Sequence, residues 1–148
     1  MRARGGLLVS IHFTLVPGRG GEPFISPHLA KLRPFVKRGD FLPGSWGHAL
    51  VDALGPAKIA IEKMAYSAFC MSGLEWLLGR AGITELLVGG IGTSGGVAST
   101  MRDAHVRDLH VNMLEDGCAA MTCAVHDAAM EGLRPVAGIT SVAAALQD

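Results

Sequence analysis

A cluster of glycines in the second half of the chain carries the most distinctive chemistry in the sequence. Residues 89–96 read GGIGTSGG and lie between an apolar run that predicts a strand and a segment that predicts a helix. Glycine tolerates tight backbone routes, and such a loop directs N–H groups and the positive end of the next helix at a ligand. We therefore predict an anion or oxyanion site, with close strand–helix packing as the alternative reason for the glycines.

The same loop has a second interpretation, a dinucleotide site. Gly90, Gly92 and Gly95 have GxGxxG spacing, and Glu115 and Asp116 end the next predicted strand, about 20 residues later, where a ribose-binding acid would lie. However, the loop follows two earlier strands and only two more strands come after it, too few for a full dinucleotide fold. The dinucleotide site is therefore the remote alternative.

Cysteines and histidines give weaker signals. Cys70, Cys118 and Cys123 lack CxxC spacing, so the sequence predicts neither a disulfide framework nor a zinc site, and we expect no metal. Cys118 lies just before and Cys123 lies on a predicted helix rich in alanine and methionine, which favours buried, inert thiols over a nucleophile. His12 ends the first predicted strand at the ligand end of the sheet and could act as an acid or base, although a structural histidine is commoner there.

The elements before the glycine loop are two strands joined by a long connection. Apolar runs predict strands at 7–13 and 57–61. Six of the seven prolines fall between Pro17 and Pro56, which predicts mostly irregular backbone. Ser72 and Glu75 then have capping-box spacing for a helix that ends at Gly82.

From residue 85 onwards, strands and helices alternate regularly. Such wiring predicts an α/β fold with three α-β-α layers and a mostly parallel, doubly wound sheet that binds ligands at the carboxyl ends of its strands. No linker divides the 148 residues, so we expect one domain over 1–148. The predicted strands are 85–89, 109–114 and 135–139, and the predicted helices are 97–107, 119–131 and 141–146.

Composition narrows the classes of partner. Thirteen basic residues balance thirteen acidic ones without a dense Lys/Arg cluster, which disfavours a nucleic-acid partner and favours a small-molecule ligand. Hydrophobic residues make up 49% of the chain and charged residues 18%, so apolar surface and a homo-oligomer are expected. The N-terminal apolar run is too short for a membrane span and lacks a cleavage site, which indicates a cytoplasmic protein without a membrane partner.

Five segments, in order and each at an element junction, resemble the isochorismatase-like, or cysteine hydrolase, superfamily. The resemblance runs from about Gly5 to the C-terminus and implies the fold above, without a cofactor. It also implies a hydrolase acting on a small amide, carbonyl or enol-ether metabolite. The segments are PGSWG at 43–47, KMAYSAF at 63–69, LLVGGIGTSGGV at 86–97, STMRDA at 99–104, and LEDGCAA at 114–120 followed by His126.

The resemblance also implies which residues form the site. Family hydrolases combine a cysteine nucleophile, a lysine and an aspartate; Lys63 matches the lysine, but the nucleophile position falls on Gly96, which has no side chain. The N–H groups of Gly92 and Gly96 match the family's oxyanion hole, and the Ile91–Gly92 bond matches its cis peptide. The candidate substrate-binding residues are Trp46, Tyr66, Phe69, Thr93 and Ser94, of which the aromatic ones are equally compatible with plain core.

In the family, the aspartate lies on a strand that precedes the segment resembling residues 7–13. We therefore expect this chain to lack one strand–helix unit of about 30 residues, and with it a central strand of the sheet order 3-2-1-4-5-6. Neighbouring strands would then close up, or another chain would supply a strand. Two hypotheses follow: an enzyme with Lys63 as its catalytic side chain, or a non-catalytic descendant, a pseudoenzyme, that binds a small anion or serves as a structural homo-oligomer. Loss of two catalytic side chains favours the second.

Overall fold

A computed structural model describes residues 5–15, 19–20, 25–37 and 39–147. The chain divides into two compact units, residues 2–64 and residues 65–148, which we call the N-terminal and C-terminal units. The expectation of one domain over 1–148 stays a prediction. None of the helices in the described ranges has the length and hydropathy needed to cross a membrane.

The N-terminal unit contains a two-stranded parallel sheet of β1 (Val9–Phe13) and β2 (Ile59–Lys63). In its described residues, their connection is mostly irregular, as predicted, with 3₁₀ turns at Trp46–His48 and Asp52–Leu54. It also holds a helix that we did not predict, α1 (Pro27–Leu32). The signal for α1 is present in the sequence: Ser26 caps it by accepting a hydrogen bond from the Leu29 N–H (3.2 Å), and a proline follows at the first helical position.

The C-terminal unit contains a three-stranded parallel sheet in the order β3-β4-β5. All three strands and all four helices predicted from residue 72 onwards are present. Their bounds are α2 (Leu74–Arg80), β3 (Glu85–Ile91), α3 (Ala98–His105), β4 (His110–Ala119), α4 (Cys123–Glu131), β5 (Gly138–Thr140) and α5 (Val142–Ala145), with a π-helical turn at Thr93–Val97.

The largest error in the predicted bounds concerns the end of β4. The strand runs to Ala119 instead of residue 114, because after a bulge between Val88 and Gly90 it pairs again with β3. The next helix therefore begins at Cys123 instead of residue 119, and Thr122 caps it by accepting from the Val125 N–H (3.2 Å).

The predicted capping box of α2 is also wrong. The N-cap is Gly73, which has no side chain to cap with. The Ser72 hydroxyl lies one residue earlier, where it accepts from the Leu74 N–H (3.2 Å) and donates to the Ala68 carbonyl. Ser72 therefore stabilises the turn that leads into the helix.

The core of the C-terminal unit forms where α3 and β4 bury their apolar side chains. On α3, Ala98, Met101 and Ala104 recur every three residues and are buried, the spacing of one helix face. On β4, Val111 and Met113 alternate with less buried neighbours, as expected for a strand. This packing fixes β3 and α3, the two elements between which the glycine loop lies.

Every strand pair in the described residues is parallel, as predicted. The five strands nevertheless form two sheets, one in each unit, where the sequence predicts a single sheet.

Candidate functional site

The glycine loop turns the chain from β3 into α3 by way of the π-helical turn. The peptide bond between Ile91 and Gly92 is cis, as the family resemblance predicts. The Gly92 carbonyl accepts from the N–H groups of Gly95 (3.1 Å) and Val97 (3.4 Å), which closes the loop upon itself. The first N–H groups of a helix generally have no partner within the helix and can bind an anion. Backbone donors at Gly92 and Gly96 for an oxyanion stay a prediction.

The Thr100 hydroxyl holds the loop from behind. It donates to the Gly96 carbonyl (2.7 Å) and accepts from the Ala68 N–H (2.9 Å). Thr100 and Ala68 are both buried. Buried polar groups cannot hydrogen-bond to bulk water, so they need a partner within the protein. One side chain therefore fixes both the position of Gly96 and the segment that contains Tyr66.

A second polar contact fixes the start of the loop. Thr93 is fully buried, and its Oγ1 lies 2.8 Å from Nδ1 of His126 on α4. The hydroxyl is thereby paired within the protein, so in this structure Thr93 orients the loop. A direct role of Thr93 in substrate binding stays a prediction that its burial does not favour.

Of the other predicted binding residues, Tyr66 and Ser94 lie at the loop. A Cβ atom at Gly95 would lie 3.5 Å from the Tyr66 ring, so the ring packs against the loop backbone while the residue stays 49% exposed. Ser94 is exposed within the π-helical turn. These two side chains are the ones that the structure brings to the predicted site.

Phe69 has the surroundings of a core residue. It is buried, and the Arg107 guanidinium carbon lies 4.7 Å from the centroid of its ring. Arg107 also donates to Glu75 on α2 (2.9 Å), which holds the guanidinium over the ring. Of the two interpretations of this aromatic residue, the structure favours plain core.

Lys63 and Trp46 belong to the N-terminal unit. Lys63 ends β2, opposite Phe13, and its main-chain carbonyl accepts from the Thr14 N–H (2.8 Å). Burial lowers the pKa of Lys63 from its ordinary value of 10.5, and the positive charge of Arg33 lowers it further. Trp46 is 95% exposed at the start of a 3₁₀ turn. The roles of Lys63 as a catalytic residue and of Trp46 as a binding residue stay predictions.

The lowered pKa of Lys63 predicts a specific pH dependence of stability. Between the folded-state pKa and 10.5 the unfolded chain binds more protons than the folded chain, so stability contributed by Lys63 rises with pH in this window. Lys63→Met removes the half-buried charge, so we expect a more stable protein at neutral pH that lacks this rise. Urea unfolding of both proteins from neutral pH to pH 10.5 measures the difference.

Lys58→Met, at an exposed lysine, is the control. A difference between Lys63→Met and wild type that is constant with pH contradicts the prediction.

The cysteines fall into two classes. Cys70 and Cys123 are exposed, so the prediction of a buried Cys123 is wrong. Cys118 is half-buried, and its thiol donates to the Val88 carbonyl (3.8 Å). Burial raises the pKa of the Cys118 thiol. A backbone hydrogen bond at Gly90 lowers this pKa by less, and the charge of Asp116 raises it by a still smaller amount.

Because the thiolate is the reactive form of cysteine, we expect iodoacetamide to modify Cys118 at least about tenfold more slowly than Cys70 and Cys123 at neutral pH. Peptide mapping by mass spectrometry measures the three rates. The same reaction in urea is the control and should remove the difference. Equal rates in the folded protein contradict the assignment of Cys118 as an inert thiol.

Comparison with known proteins gives the family. Residues 6–144 match the model of the Isochorismatase domain. The chain belongs to the isochorismatase family. It is 33% identical over 120 residues to the ureidoacrylate amidohydrolase RutB of Methylorubrum extorquens, covering 79% of this chain and 48% of that protein. It is 30% identical over 122 residues to the uncharacterized isochorismatase family protein YecD of Escherichia coli O157:H7, covering 82% of this chain and 61% of that protein.

Solved structures give the same fold. An isochorismatase family protein from Desulfovibrio vulgaris superposes with a TM-score of 0.83 at 25% identity, over 99% of this chain and 76% of that one. Nicotinamidase PncA from Bacillus subtilis superposes with a TM-score of 0.76 at 22% identity, over 95% of this chain and 77% of that one. The α/β fold class is thereby confirmed, while the chain spans about half the length of the RutB relative.

Membership of the isochorismatase family removes the support for a dinucleotide site. One of the two acids that the dinucleotide interpretation names is also engaged elsewhere, because Asp116 Oδ1 accepts from the Val142 N–H (2.7 Å) at the start of α5. In the described ranges, no three His, Cys, Asp or Glu residues lie together as a metal site would require.

Sequence reasoning missed Thr100 and the contact made by His126 in this isochorismatase-family site. Both lie in segments that carry the family resemblance, but no role was assigned to either. Thr100 follows Gly96 by four residues, the spacing at which a helical hydroxyl bonds back to a carbonyl. The bond from Thr100 to the Gly96 carbonyl could therefore be predicted from the sequence. The bond to Ala68 and the pairing of His126 with Thr93 depend on tertiary structure.

Proposed function

We propose that this isochorismatase-family chain binds a small carboxylic acid or amide at the glycine loop without forming a covalent cysteine adduct. The observation that carries the proposal is the loop itself: Gly92 caps the π-helical turn that leads into α3, and Thr100 fixes Gly96 from behind. Backbone N–H groups in such a turn suit a carboxylate or a polarised carbonyl oxygen. Tyr66 beside Gly95 supplies an aromatic face for the rest of the ligand.

The relatives suggest the chemical class of ligand. RutB is named as an amidohydrolase of ureidoacrylate and PncA as a nicotinamidase, so both act on amides of small acids. The corresponding ligands for this chain are ureidoacrylate, nicotinamide and nicotinate. An enol ether such as isochorismate, the substrate class of the family's name, is the wider alternative.

Gly96 argues against covalent catalysis in this chain. The family resemblance places the nucleophile at residue 96, and glycine supplies no thiol there. Lys63 matches the family's lysine and is the side chain through which any non-covalent turnover would act. We therefore expect binding without hydrolysis, which is the behaviour of a pseudoenzyme.

The test compares two variants of Ser94, which is exposed in the π-helical turn. Ser94→Asp places a carboxylate beside the loop donors, and Ser94→Asn adds a side chain of the same shape without charge. A like charge at about 4 Å in water costs about 1 kcal/mol, so nicotinate should bind at least about fivefold more weakly to Ser94→Asp than to Ser94→Asn. Isothermal titration calorimetry measures both affinities.

Two results would overturn this proposal. One is the absence of nicotinate, nicotinamide and ureidoacrylate binding at millimolar concentration to the folded protein. The other is equal affinity of the two Ser94 variants for nicotinate. Hydrolysis of either amide that persists in Lys63→Ala would separately contradict the assignment of Lys63.

We further propose that the chain forms a homo-oligomer in a reducing, cytoplasmic compartment. Several large apolar side chains are strongly exposed, among them Met71 (90%), Ile91 (86%) and Met121 (94%). All three cysteines are free. Size-exclusion chromatography with light scattering should give a multiple of the 15.4 kDa chain mass, and a monomer would contradict the proposal.

A further inference from the structure

The N-terminal unit contains a cavity that the proposed function does not use. It has a volume of about 380 Å³ and lies wholly among residues 10–60. Apolar side chains such as Leu50, Pro56 and Ala57 form most of its wall. Among the residues that the structure describes, the polar lining consists of Ser10, His12 and Asp52. Ser10 and His12 are paired in this cavity, and a serine beside a histidine can act as a nucleophile that the histidine activates as a general base.

Ser10 and His12 are adjacent because β1 is a strand. Side chains two residues apart in a strand lie on the same face, and here His12 Nε2 lies 2.9 Å from Ser10 Oγ. Ala60 of β2 lies beside Ser10 in the parallel register. Its small side chain also lines the cavity, which leaves room in front of the serine.

The hydrogen bonds of His12 determine its tautomer. Nδ1 lies 2.7 Å from the His48 carbonyl oxygen, which can only accept, so Nδ1 carries the proton. In the neutral ring, Nε2 is then the acceptor, and the Ser10 hydroxyl donates to it. The competing bond from Ser10 to the Ile59 carbonyl is long, at 3.4 Å, and therefore weaker. His12 is therefore a base that is hydrogen-bonded to the Ser10 hydroxyl, and the His48 carbonyl oxygen orients its ring.

Further contacts hold the His12 ring in place. The ring of His48 lies 5.1 Å from it, centroid to centroid. His48 Nε2 in turn lies 2.8 Å from Oγ1 of Thr14, which is buried. A catalytic base requires such fixed orientation, because its effect depends on geometry before it depends on pKa.

We infer that this cavity is a second site, in which Ser10 acts as a nucleophile and His12 as its general base toward an uncharged short-chain acyl ester. The volume of about 380 Å³ is at the lower end of small-molecule sites, which favours a short acyl chain. The apolar wall suits that chain. The Asp52 carboxylate disfavours an anionic ligand.

The reaction has two steps. Ser10 Oγ attacks the ester carbonyl, His12 Nε2 takes the hydroxyl proton, and the alcohol leaves with that proton as the acyl group stays on Ser10. Water then attacks the acyl-serine, with His12 again taking and returning a proton, which releases the acid and restores Ser10. The balance is one ester and one water converted to one acid and one alcohol.

The test uses an ethyl fluorophosphonate probe on the full chain. Ser10 Oγ would bond to phosphorus, fluoride would leave, and the proton would pass to His12. We expect an adduct that peptide mapping places on Ser10 and that Ser10→Ala lacks. Since a general base contributes about 10²–10⁴-fold, His12→Gln should label at least about 100-fold more slowly. Ala57→Leu, which fills the cavity and keeps both reacting residues, should also slow labelling.

The control is Ser99→Ala, a serine on α3 outside this cavity, which should label at the wild-type rate. Circular dichroism of each variant establishes that it is folded. After alkylation of the thiols, the chain should also release p-nitrophenol from p-nitrophenyl butyrate, and Ser10→Ala should not. The inference fails if the folded chain gives no adduct on Ser10, or if His12→Gln labels at the wild-type rate. It also fails if the labelled serine supports no release of p-nitrophenol.

Discussion

Met113→Ala is expected to lower the free energy of unfolding by about 2–5 kcal/mol, the range for large-to-small changes in a core. Met113 is fully buried in β4, the central strand of the C-terminal sheet, where it lies opposite Val88 of β3 and Ile139 of β5. Its removal leaves a cavity beneath the strand that leads into the glycine loop. Urea unfolding followed by circular dichroism measures the loss.

Met121 provides the matched control, because the same substitution there changes a side chain that is 94% exposed. Met121→Ala should change the free energy of unfolding by less than about 0.5 kcal/mol. Met113→Leu, which nearly conserves volume, should cost less than about 1.5 kcal/mol. Equal losses for the two alanine variants would contradict the placement of Met113 in the core.

Thr100→Val is expected to lower the free energy of unfolding by about 2–4 kcal/mol and to weaken ligand binding at the glycine loop. Valine keeps the shape of threonine but leaves the buried Ala68 N–H and the Gly96 carbonyl without their shared partner. Each unsatisfied buried group costs about 1–3 kcal/mol. Unfolding in urea measures the stability, and calorimetric titration with nicotinate measures the affinity.

Thr100→Ser separates the hydroxyl from the methyl group. It keeps both hydrogen bonds and should cost only about 1 kcal/mol, close to the value of one buried carbon. Its nicotinate affinity should stay near that of the wild type. If serine and valine at residue 100 reduced stability equally, the hydroxyl would not be the group that holds the loop.

The sequence predicted the bounds of helices and strands well where the apolar periodicity and the positions of glycines agreed. It predicted them poorly where pairing with another strand decided where a strand ends. Strand β3 and helix α3 were placed within a few residues by their apolar patterns. The extension of β4 was missed because Glu115, Asp116 and Gly117 are typical of a turn. Renewed pairing of Cys118 and Ala119 with β3 overrides that local preference.

At the site, the sequence identified the loop but not what holds it. The glycines and the family resemblance indicated the backbone donors at Gly92 and Gly96, because those depend on local chain geometry. The resemblance also named Tyr66 as a candidate pocket residue, whereas the packing of its ring against Gly95 is a finding of the structure. The pairing of Thr93 with His126 joins residues 33 positions apart and could not be read from local pattern.

The way in which Gly96 is held has a consequence for substitutions at this position. The framework holds residue 96 by its main-chain carbonyl, through Thr100, and every amino acid has that carbonyl. The identity of the side chain at residue 96 is thus separable from the shape of the loop. If residue 96 is the nucleophile position that the family resemblance implies, exchange of its side chain would leave this carbonyl contact in place. Position 100 lacks that freedom, because its contribution is a side-chain hydroxyl that bonds to both Gly96 and Ala68.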